Sequence, residues 1–337
     1  MKLIIQIPCY NEETTLPDVL AALPRHVPGF AKVEWLVIDD GSTDRTVEVA
    51  RAHGVDHVVR QPHNRGLAAA FMAGLEAALC HGADVVVNTD GDNQYDAACI
   101  PDLTAPIVEG RAQIVVGARP IAAIRHFSRP KRWLQALGSR VVRVASGTRI
   151  ADAPSGFRAI HKDAAMRLFV FNRYTYTLET IIQAGRLGIP VLSVPVRVNP
   201  PTRESRLMRS MAQYILRSAI TILRIAVLYR PLRAFSLAAL LVALPGLAAF
   251  ARFLVLYLGG NGDGNVQSLV IGAALLASAA VLFVGGLLAD LIAANRMLLA
   301  EIRARQLAQT VASERREGIV EIGSAQRRHA AAANGGS

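Results

Sequence analysis

Short apolar runs alternate with helical patterns along the first 200 residues. Five runs predict strands, at Leu3–Ile7, Trp35–Ile38, Val55–Val59, Asp84–Val87 and Ile114–Val116. Apolar residues at helical spacing predict helices between them, over 14–23, 43–52, 67–79 and 101–109. The strand runs are continuous rather than alternating, which is typical of strands covered on both faces. This order predicts an α/β fold, Rossmann-like, with a mostly parallel sheet between layers of helices.

The pattern changes after about Pro201. Residues 203–233 contain seven arginines and no lysine. Four of these arginines share one helical face, and they are Arg206, Arg209, Arg217 and Arg224. Such a basic, amphipathic pattern predicts interfacial helices that lie along a membrane surface.

Two long apolar stretches follow, at 234–258 and 266–289. Each is long enough to cross a hydrocarbon core of about 30 Å. The turn between them has no Lys or Arg, whereas seven further arginines lie between Arg296 and Arg328. The positive-inside rule therefore predicts a multi-pass protein of the cell (inner or plasma) membrane, with its N-terminal domain and its C-terminus in the cytoplasm.

These shifts divide the chain into four parts. An α/β domain is expected over 1–202, and basic interfacial helices over 203–233. A two-helix transmembrane hairpin is expected over 234–289, and a cytoplasmic helix with a disordered tail over 290–337. The disordered end is expected from about Ser313.

Composition narrows the classes of protein. The chain is 52% hydrophobic and carries a formal net charge of +11, so its positive excess is unusual for a protein with only 19% charged residues. Nucleic-acid binding is not expected, because the arginines flank the apolar stretches instead of alternating with aromatic residues. The three cysteines are too few and odd in number for a disulfide framework, which favours a reducing compartment.

Acidic turns follow two of the predicted strands. In open α/β sheets, ligands bind at the carboxyl ends of strands. Asp90-Gly91-Asp92 would hold Mg²⁺ or Mn²⁺ beside a diphosphate, because hard cations prefer oxygen ligands, and Gln94 would add another oxygen. Taken alone, the tripeptide is equally compatible with a solvated turn. A carboxylate of Asp39-Asp40 would accept hydrogen bonds from a nucleobase or a ribose.

Six motifs occur in a fixed order along the chain. They are Pro8–Glu12, Val37–Asp44, Asn64–Leu67, Asp90–Asp92, Val116–Arg119 and Ser155–Arg158. Together they resemble the family 2 glycosyltransferases with the GT-A fold. Within that family, the chain is most similar to polyprenyl-phosphate glycosyltransferases of the dolichol-phosphate mannose synthase type, over roughly residues 3–230.

The resemblance implies a role for each motif. A nucleotide-sugar would be bound by Pro8, Tyr10, Glu12, Ile38, Asp40, Asp90, Gly91 and Arg119. The metal ligands would be Asp90, Asp92 and Gln94. The catalytic residues would be Asp152, Asp92 and Arg158, and the acceptor phosphate would meet Arg158 and Arg206.

The implied reaction is an inverting transfer of a sugar from a UDP- or GDP-sugar to an undecaprenyl or dolichyl phosphate on the cytoplasmic face. Membrane lipids would be further partners, and the sequence leaves a homo-oligomer open. A phosphate acceptor is already largely ionised near neutral pH, so it needs a strong general base less than an alcohol does. One alternative is a lipid hydroxyl acceptor, such as diacylglycerol or ceramide, for which Asp152 would be an indispensable base. Another is an inactive membrane scaffold.

Overall fold

The computed structural model describes residues 1–120, 143, 146–148, 150–170, 176–199, 230–259 and 266–334. The chain divides into two compact units. One comprises residues 1–209 together with 300–337, and the other comprises residues 210–299. The basic interfacial segment predicted over 203–233, with Arg206, lies almost wholly outside the described residues. The predicted domain boundaries therefore stay predictions.

Within the described residues, one mixed sheet organises the first unit. Its strands are β1 (Lys2–Cys9), β2 (Lys32–Asp39), β3 (His57–Arg60), β4 (Val85–Asn88), β5 (Ile114–Ala118), β6 (Arg158–His161) and β7 (Val191–Pro195). Their order across the sheet is β3-β2-β1-β4-β6-β5-β7. Only β6 runs antiparallel to its neighbours, β4 and β5. The predicted mostly parallel α/β sheet is confirmed, while β6 and β7 had not been predicted.

Helices cover both faces of this sheet. They are α1 (Leu16–Ala22), α2 (Thr46–Ala52), α3 (Leu67–Cys80), α4 (Ile100–Val108), α5 (Lys162–Arg167) and α6 (Thr177–Arg186). Side chains of α1 and α4, including Leu16 and Leu103, pack with Ile5 of β1 in one buried apolar cluster. Helix α3 approaches the opposite face so closely that a Cβ added at Gly74 would lie 2.7 Å from Ile38 Cδ1. The sheet is therefore covered on both sides, as its continuous apolar strands predict.

A buried carboxylate joins the amino ends of three strands. The Glu34 carboxylate of β2 lies 2.6 Å from Lys2 Nζ, 2.5 Å from Lys32 Nζ and 2.8 Å from His57 Nε2. Burial alone would raise the pKa of Glu34, but the hydrogen bonds from these three residues outweigh it and lower the pKa to about 2. The ionised carboxylate is thus favoured in the folded chain.

We expect Glu34→Gln to lower the free energy of unfolding of the full chain by about 2–3 kcal/mol at neutral pH. Because the folded pKa lies below the ordinary value of 4.5, the unfolded chain binds the proton more readily. The stabilisation by Glu34 is therefore complete above about pH 5 and is lost as the pH falls towards 2. Unfolding of the wild-type protein and of Glu34→Gln in detergent across this pH range measures the difference between their free energies of unfolding. Glu48→Gln, at an exposed position of α2, is the control. A difference in stability between wild type and Glu34→Gln that stayed constant down to the lowest pH would refute the predicted pH dependence.

The second unit contains the apolar helices. Helix α7 spans Pro231–Leu258, and helix α8 begins at Val266. Pro231–Leu258 and Val266–Ser313 are long and apolar enough to cross a membrane, with mean hydropathies of 2.2 and 2.3. The two long apolar helices predicted over 234–258 and 266–289 are therefore confirmed as helices. The two helices approach each other at small residues, since a Cβ added at Gly246 would lie 3.3 Å from the Gly272 carbonyl oxygen.

The end of the chain differs from the prediction. Helix α8 continues without a break to Asn334, where disorder had been expected from about Ser313. The residues beyond Ser313 contain no proline and are rich in Ala, Arg and Glu, which favour the helix.

Candidate active site

Two motif-bearing turns meet at the carboxyl ends of β1 and β4. The chain passes from β1 to β2 on one side, while β4 pairs with β1 on the other side, so this is the switch point of the sheet. Thr15 Oγ1 lies 3.0 Å from the Gly91 carbonyl oxygen. A Cβ added at Gly91 would lie 3.4 Å from the Pro8 carbonyl oxygen and 3.3 Å from Cys9 Sγ. A larger residue at Gly91 would crowd this junction.

The turn after β1 presents an exposed aromatic ring. Tyr10 is 41% exposed, although it directly follows a buried strand. The next residue, Asn11, has a φ of 54°, a left-handed conformation that asparagine tolerates. Asn11 N donates to Ser42 Oγ, and Asn11 Oδ1 accepts from Thr43 N, both at 2.9 Å. The turns after β1 and β2 thus fix each other and leave the Tyr10 ring open for stacking.

The carboxylate of Asp40 organises a third turn. It accepts hydrogen bonds from the backbone N–H groups of Arg65 and Gly66, both at 2.8 Å. Gly66 has a φ of 91° and immediately precedes α3. Asp40 was predicted to contact the nucleotide, but its two oxygens hold the Asn64–Leu67 motif in place. Its neighbour Asp39 is also buried, and Asp39 Oδ1 accepts from Ser42 N at 2.9 Å.

Two further residues that were predicted to contact the nucleotide, Ile38 and Glu12, are buried. Ile38 is fully buried, with its Cδ1 against α3, so its side chain is a core contact and does not line the site. The reason is that β2 is covered on both faces. Glu12 is also buried, and its carboxylate accepts a 2.6 Å hydrogen bond from Thr15 Oγ1 at the start of α1.

The acidic turn after β4 brings Asp90 and Asp92 to the same edge. Burial and the charge of Asp92 raise the pKa of Asp90 to about 7, although the positive charges of Arg119 and Arg158 oppose this shift. Asp92 Oδ1 accepts a 3.1 Å hydrogen bond from Gln94 N. Gln94 itself is exposed. A carboxylate with so high a pKa is one that a bound cation would stabilise in its ionised form.

Arg119 and Asp152 form a bidentate ion pair beside this turn. Arg119 Nε lies 2.6 Å from Asp152 Oδ2, and Arg119 Nη2 lies 3.1 Å from Asp152 Oδ1. The backbone N–H of Arg119 also donates to Oδ2, at 3.2 Å. Burial would lower the pKa of Arg119, but its hydrogen bonds and the charge of Asp152 raise it. The guanidinium is therefore permanently charged and held in one orientation.

Arg158 lies in the protein interior. The residue is fully buried, and its guanidinium donates to the carbonyl oxygens of Ser155 at 2.8 Å and Ala153 at 2.7 Å. A third hydrogen bond goes to Thr180 Oγ1 of α6 at 2.5 Å. Burial lowers the pKa of Arg158 to about 10, which leaves it charged at neutral pH. Direct contact with an acceptor phosphate was predicted for Arg158, but with no exposed surface it fixes the loop before β6 instead.

A buried polar network behind Asp90 was missed by sequence reasoning. Gln6 Nε2 donates to Asn88 Oδ1 at 2.8 Å. Asn88 Nδ2 donates to the Gly156 carbonyl oxygen and to Tyr176 Oη, both at 2.9 Å. This network ties β1 and β4 to the Ser155–Arg158 motif. A lone glutamine inside the apolar run Leu3–Ile7 was the available signal for it.

Comparison with known proteins agrees with these motifs. The profile of glycosyl transferase family 2 matches residues 4–169. An uncharacterized glycosyltransferase from Mycobacterium tuberculosis is 33% identical over 204 residues, which cover 59% of this chain and 85% of the relative. This chain belongs to glycosyltransferase family 2. An undecaprenyl-phosphate mannosyltransferase from Micrococcus luteus is 27% identical, over 58% of this chain and 83% of the relative.

A solved structure supports the fold of this family 2 glycosyltransferase. Glucosyl-3-phosphoglycerate synthase from Mycobacterium tuberculosis, in complex with Mn²⁺, UDP and phosphoglyceric acid, aligns with a TM-score of 0.50 and 21% identity. The alignment covers 67% of this chain and 77% of that protein. The GT-A fold predicted for the N-terminal domain is therefore confirmed. The match to the family profile and to the Mycobacterium tuberculosis relative confirms the assignment of the chain as a glycosyltransferase.

The carboxylates of this glycosyltransferase fit a cation that is shared with a ligand. Among the side chains that the structure describes, no three of the His, Cys, Asp and Glu type are grouped closely enough to hold a metal by themselves. Mg²⁺ commonly binds through one or two carboxylates together with substrate phosphates. Asp90 and Asp92, one of them with a strongly raised pKa, have the chemistry that such a site requires.

Proposed function

We propose that this glycosyltransferase moves a sugar from a nucleotide-diphosphate sugar to a polyprenyl phosphate at a membrane surface. The observation that carries the proposal is one sheet edge with an exposed Tyr10, the Asp90–Asp92 pair and the oriented Arg119, in a chain that also has two long apolar helices. The Micrococcus luteus relative, named as an undecaprenyl-phosphate mannosyltransferase, supports this acceptor class.

The nucleoside half of the donor would lie over the turns after β1 and β2. Tyr10 would stack on the base, and the backbone held by Asn11 and Ser42 would set its position. The diphosphate would reach across to the turn after β4, which adjoins at Gly91. UDP and GDP are both compatible with this arrangement.

Asp90 and Asp92 would hold Mg²⁺ or Mn²⁺ against the diphosphate, with Gln94 as a candidate third ligand. When bound, the cation supplies Lewis-acid neutralisation of the leaving diphosphate. Asp90 would then lose its proton, because a cation stabilises the carboxylate that burial disfavours. The turn after β4 would therefore link metal binding to the placement of the diphosphate.

The reaction would be a single displacement with inversion. An oxygen of the acceptor phosphate forms a bond to the anomeric carbon of the sugar, while the bond from that carbon to the donor diphosphate breaks. The electron pair leaves on the nucleoside diphosphate, and the acceptor becomes a phosphodiester. No proton has to be removed from an ionised phosphate, so the protein mainly has to align the two phosphate groups and stabilise charge.

Membrane anchoring would bring the domain to its lipid substrate. Large apolar side chains of α7 and α8, such as Leu241 and Val281, are exposed, which is unusual for the core helices of a soluble protein. We propose that both helices span the cell membrane, with the catalytic domain and the C-terminus in the cytoplasm. The arginines that flank the apolar segments support this orientation.

The test is a donor panel crossed with an acceptor panel. The full chain in detergent, with Mn²⁺, would receive UDP- or GDP-sugars and either undecaprenyl phosphate, diacylglycerol or ceramide. We expect a glycosyl phospholipid product with undecaprenyl phosphate alone among these acceptors. Product with diacylglycerol or ceramide and none with the polyprenyl phosphate would establish the lipid-hydroxyl alternative. Absence of product from every combination would refute the proposed reaction.

A further inference from the structure

We propose that Asp152 is a positioning residue whose task is to orient the Arg119 guanidinium toward a phosphate group. This inference rests on the proposed function, because it names the residue that aligns one phosphate of that reaction. It replaces the roles that sequence reasoning gave Asp152, which were that of a catalytic residue and, for a hydroxyl acceptor, that of a general base.

Burial and hydrogen bonding restrict what Asp152 can touch. Only 1% of its side-chain surface is exposed, and both carboxylate oxygens accept hydrogen bonds from Arg119. An acceptor or a sugar would have almost no surface of Asp152 to approach. Arg119 has 10% of its side chain exposed, so it is the member of the pair that a ligand can reach.

The hydrogen-bond geometry leaves Arg119 able to bind an anion. A guanidinium has five N–H donors, and the Asp152 carboxylate takes one from Nε and one from Nη2. Among the residues that the structure describes, none accepts a hydrogen bond from the other three, and the charge of Arg119 acts on nearby Asp90. A planar guanidinium fixed on one side matches the geometry of a phosphate on the other.

The backbone around Asp152 is itself held in place. Ser155 N donates to the Asp152 carbonyl oxygen at 3.2 Å, and buried Arg158 binds the carbonyl oxygens of Ala153 and Ser155. Because β5 and β6 are antiparallel neighbours, residues that follow β5 and residues that precede β6 lie at the same edge of the sheet. Arg158 therefore fixes the loop, the loop places Asp152, and Asp152 orients Arg119.

A double-mutant cycle tests the inference in the full chain. We expect Arg119→Ala and Asp152→Asn each to lower transfer to undecaprenyl phosphate by about 100-fold, as expected for a misplaced catalytic group. The double variant should be no less active than Arg119→Ala, because without the guanidinium Asp152 has nothing to orient. Losses that multiply in the double variant would overturn the proposal, since Asp152 would then act independently of Arg119.

Guanidinium rescue supplies a readout that a merely structural role would not move. Free guanidinium ion should raise the activity of Arg119→Ala severalfold, and it should fail to do so in the double variant, which lacks the carboxylate that holds it. Equal rescue of both variants would contradict the proposal.

The Michaelis constants that rise in Asp152→Asn identify the ligand. A rise for the donor indicates its diphosphate, and a rise for the lipid indicates the acceptor phosphate. If neither constant rises, the phosphate-binding role of the pair is refuted.

A binding experiment separates this inference from the proposed reaction. If wild-type protein forms no lipid product, the proposed function fails, and the same four proteins are titrated with inorganic pyrophosphate and with inorganic phosphate in the presence of Mn²⁺. The inference predicts equally weakened binding of at least one of these anions in Arg119→Ala and in the double variant. Affinities for both anions that are unchanged in Arg119→Ala, under those conditions, would refute it.

Discussion

Asp92→Asn is expected to lower sugar transfer by about 100- to 1,000-fold, because it removes one of two carboxylates that would bind the cation and the donor diphosphate. The substitution preserves shape, and the side-chain amide oxygen can still accept the hydrogen bond that Gln94 N donates to Asp92 Oδ1. The turn after β4 should therefore keep its conformation. Turnover, and Mn²⁺ binding in the presence of UDP, measure the effect.

The matched control is Asp102→Asn, the same chemical change at an exposed position in the first turn of α4. It should leave both measurements at the wild-type level. Full activity of Asp92→Asn in the presence of EDTA would refute the metal assignment. An inactive Asp92→Asn that still bound Mn²⁺ and UDP with wild-type affinity would also contradict it.

Gly156→Ala is the second substitution with a large expected effect. A Cβ at this position would lie 2.9 Å from Tyr176 Oη, 3.1 Å from Asp90 Oδ1 and 3.2 Å from Asp90 Oδ2. Each distance is shorter than an ordinary van der Waals contact, so the neighbours must move. We expect a loss of stability of about 1–3 kcal/mol and a fall in transfer of about 100-fold, because a displaced Asp90 would misplace the cation.

A second substitution, Tyr176→Phe, distinguishes the effect of the contact with Tyr176 from that of the contact with Asp90. Tyr176→Phe removes the hydroxyl that lies nearest the added methyl group, while Asn88 Nδ2 keeps the Gly156 carbonyl oxygen as its other acceptor. In the Gly156→Ala background it should restore stability but little of the activity, because the contact with Asp90 remains. Recovery of full activity would show that the position of Asp90 was not the cause. Gly285→Ala is the control, since its added Cβ would have its nearest contact at 3.9 Å, on Phe235.

These predictions share one structural basis, which is that the site is supported from within the protein. Asp90 is approached by Gly156, and Gly156 is held by Asn88 through its carbonyl oxygen. Arg119 is held by Asp152 on a loop that the interior Arg158 fixes. Groups that must meet two phosphates in line are more effective when they do not have to reorganise during the reaction. We therefore expect losses at supporting residues to appear in turnover as well as in stability.

Sequence patterns were sufficient for the elements with the strongest local patterns, but not for β6, β7, α5 and α6. The continuous apolar runs predicted β1 to β5, and helical spacing predicted α1 to α4, because these patterns reflect the burial of each element separately. The long apolar stretches likewise predicted α7 and the first part of α8. The motifs at strand ends placed Tyr10, Asp90 and Asp92 at one edge, since parallel strands bring their carboxyl ends together.

Only the tertiary structure decided which side chains of the motifs are accessible and which are buried behind them. Ile38 and Arg158 belong to motifs that resemble ligand-binding segments, yet both side chains are fully buried. Arg119 and Asp152 are 33 positions apart, and no sequence spacing indicates that they pair. The physical reason is that hydrogen-bond partners are selected by the packing of distant segments, which a linear pattern does not contain. The sequence determined the fold, the family and the location of the candidate site, whereas packing determined the hydrogen-bond partners and the burial of each charged group within it.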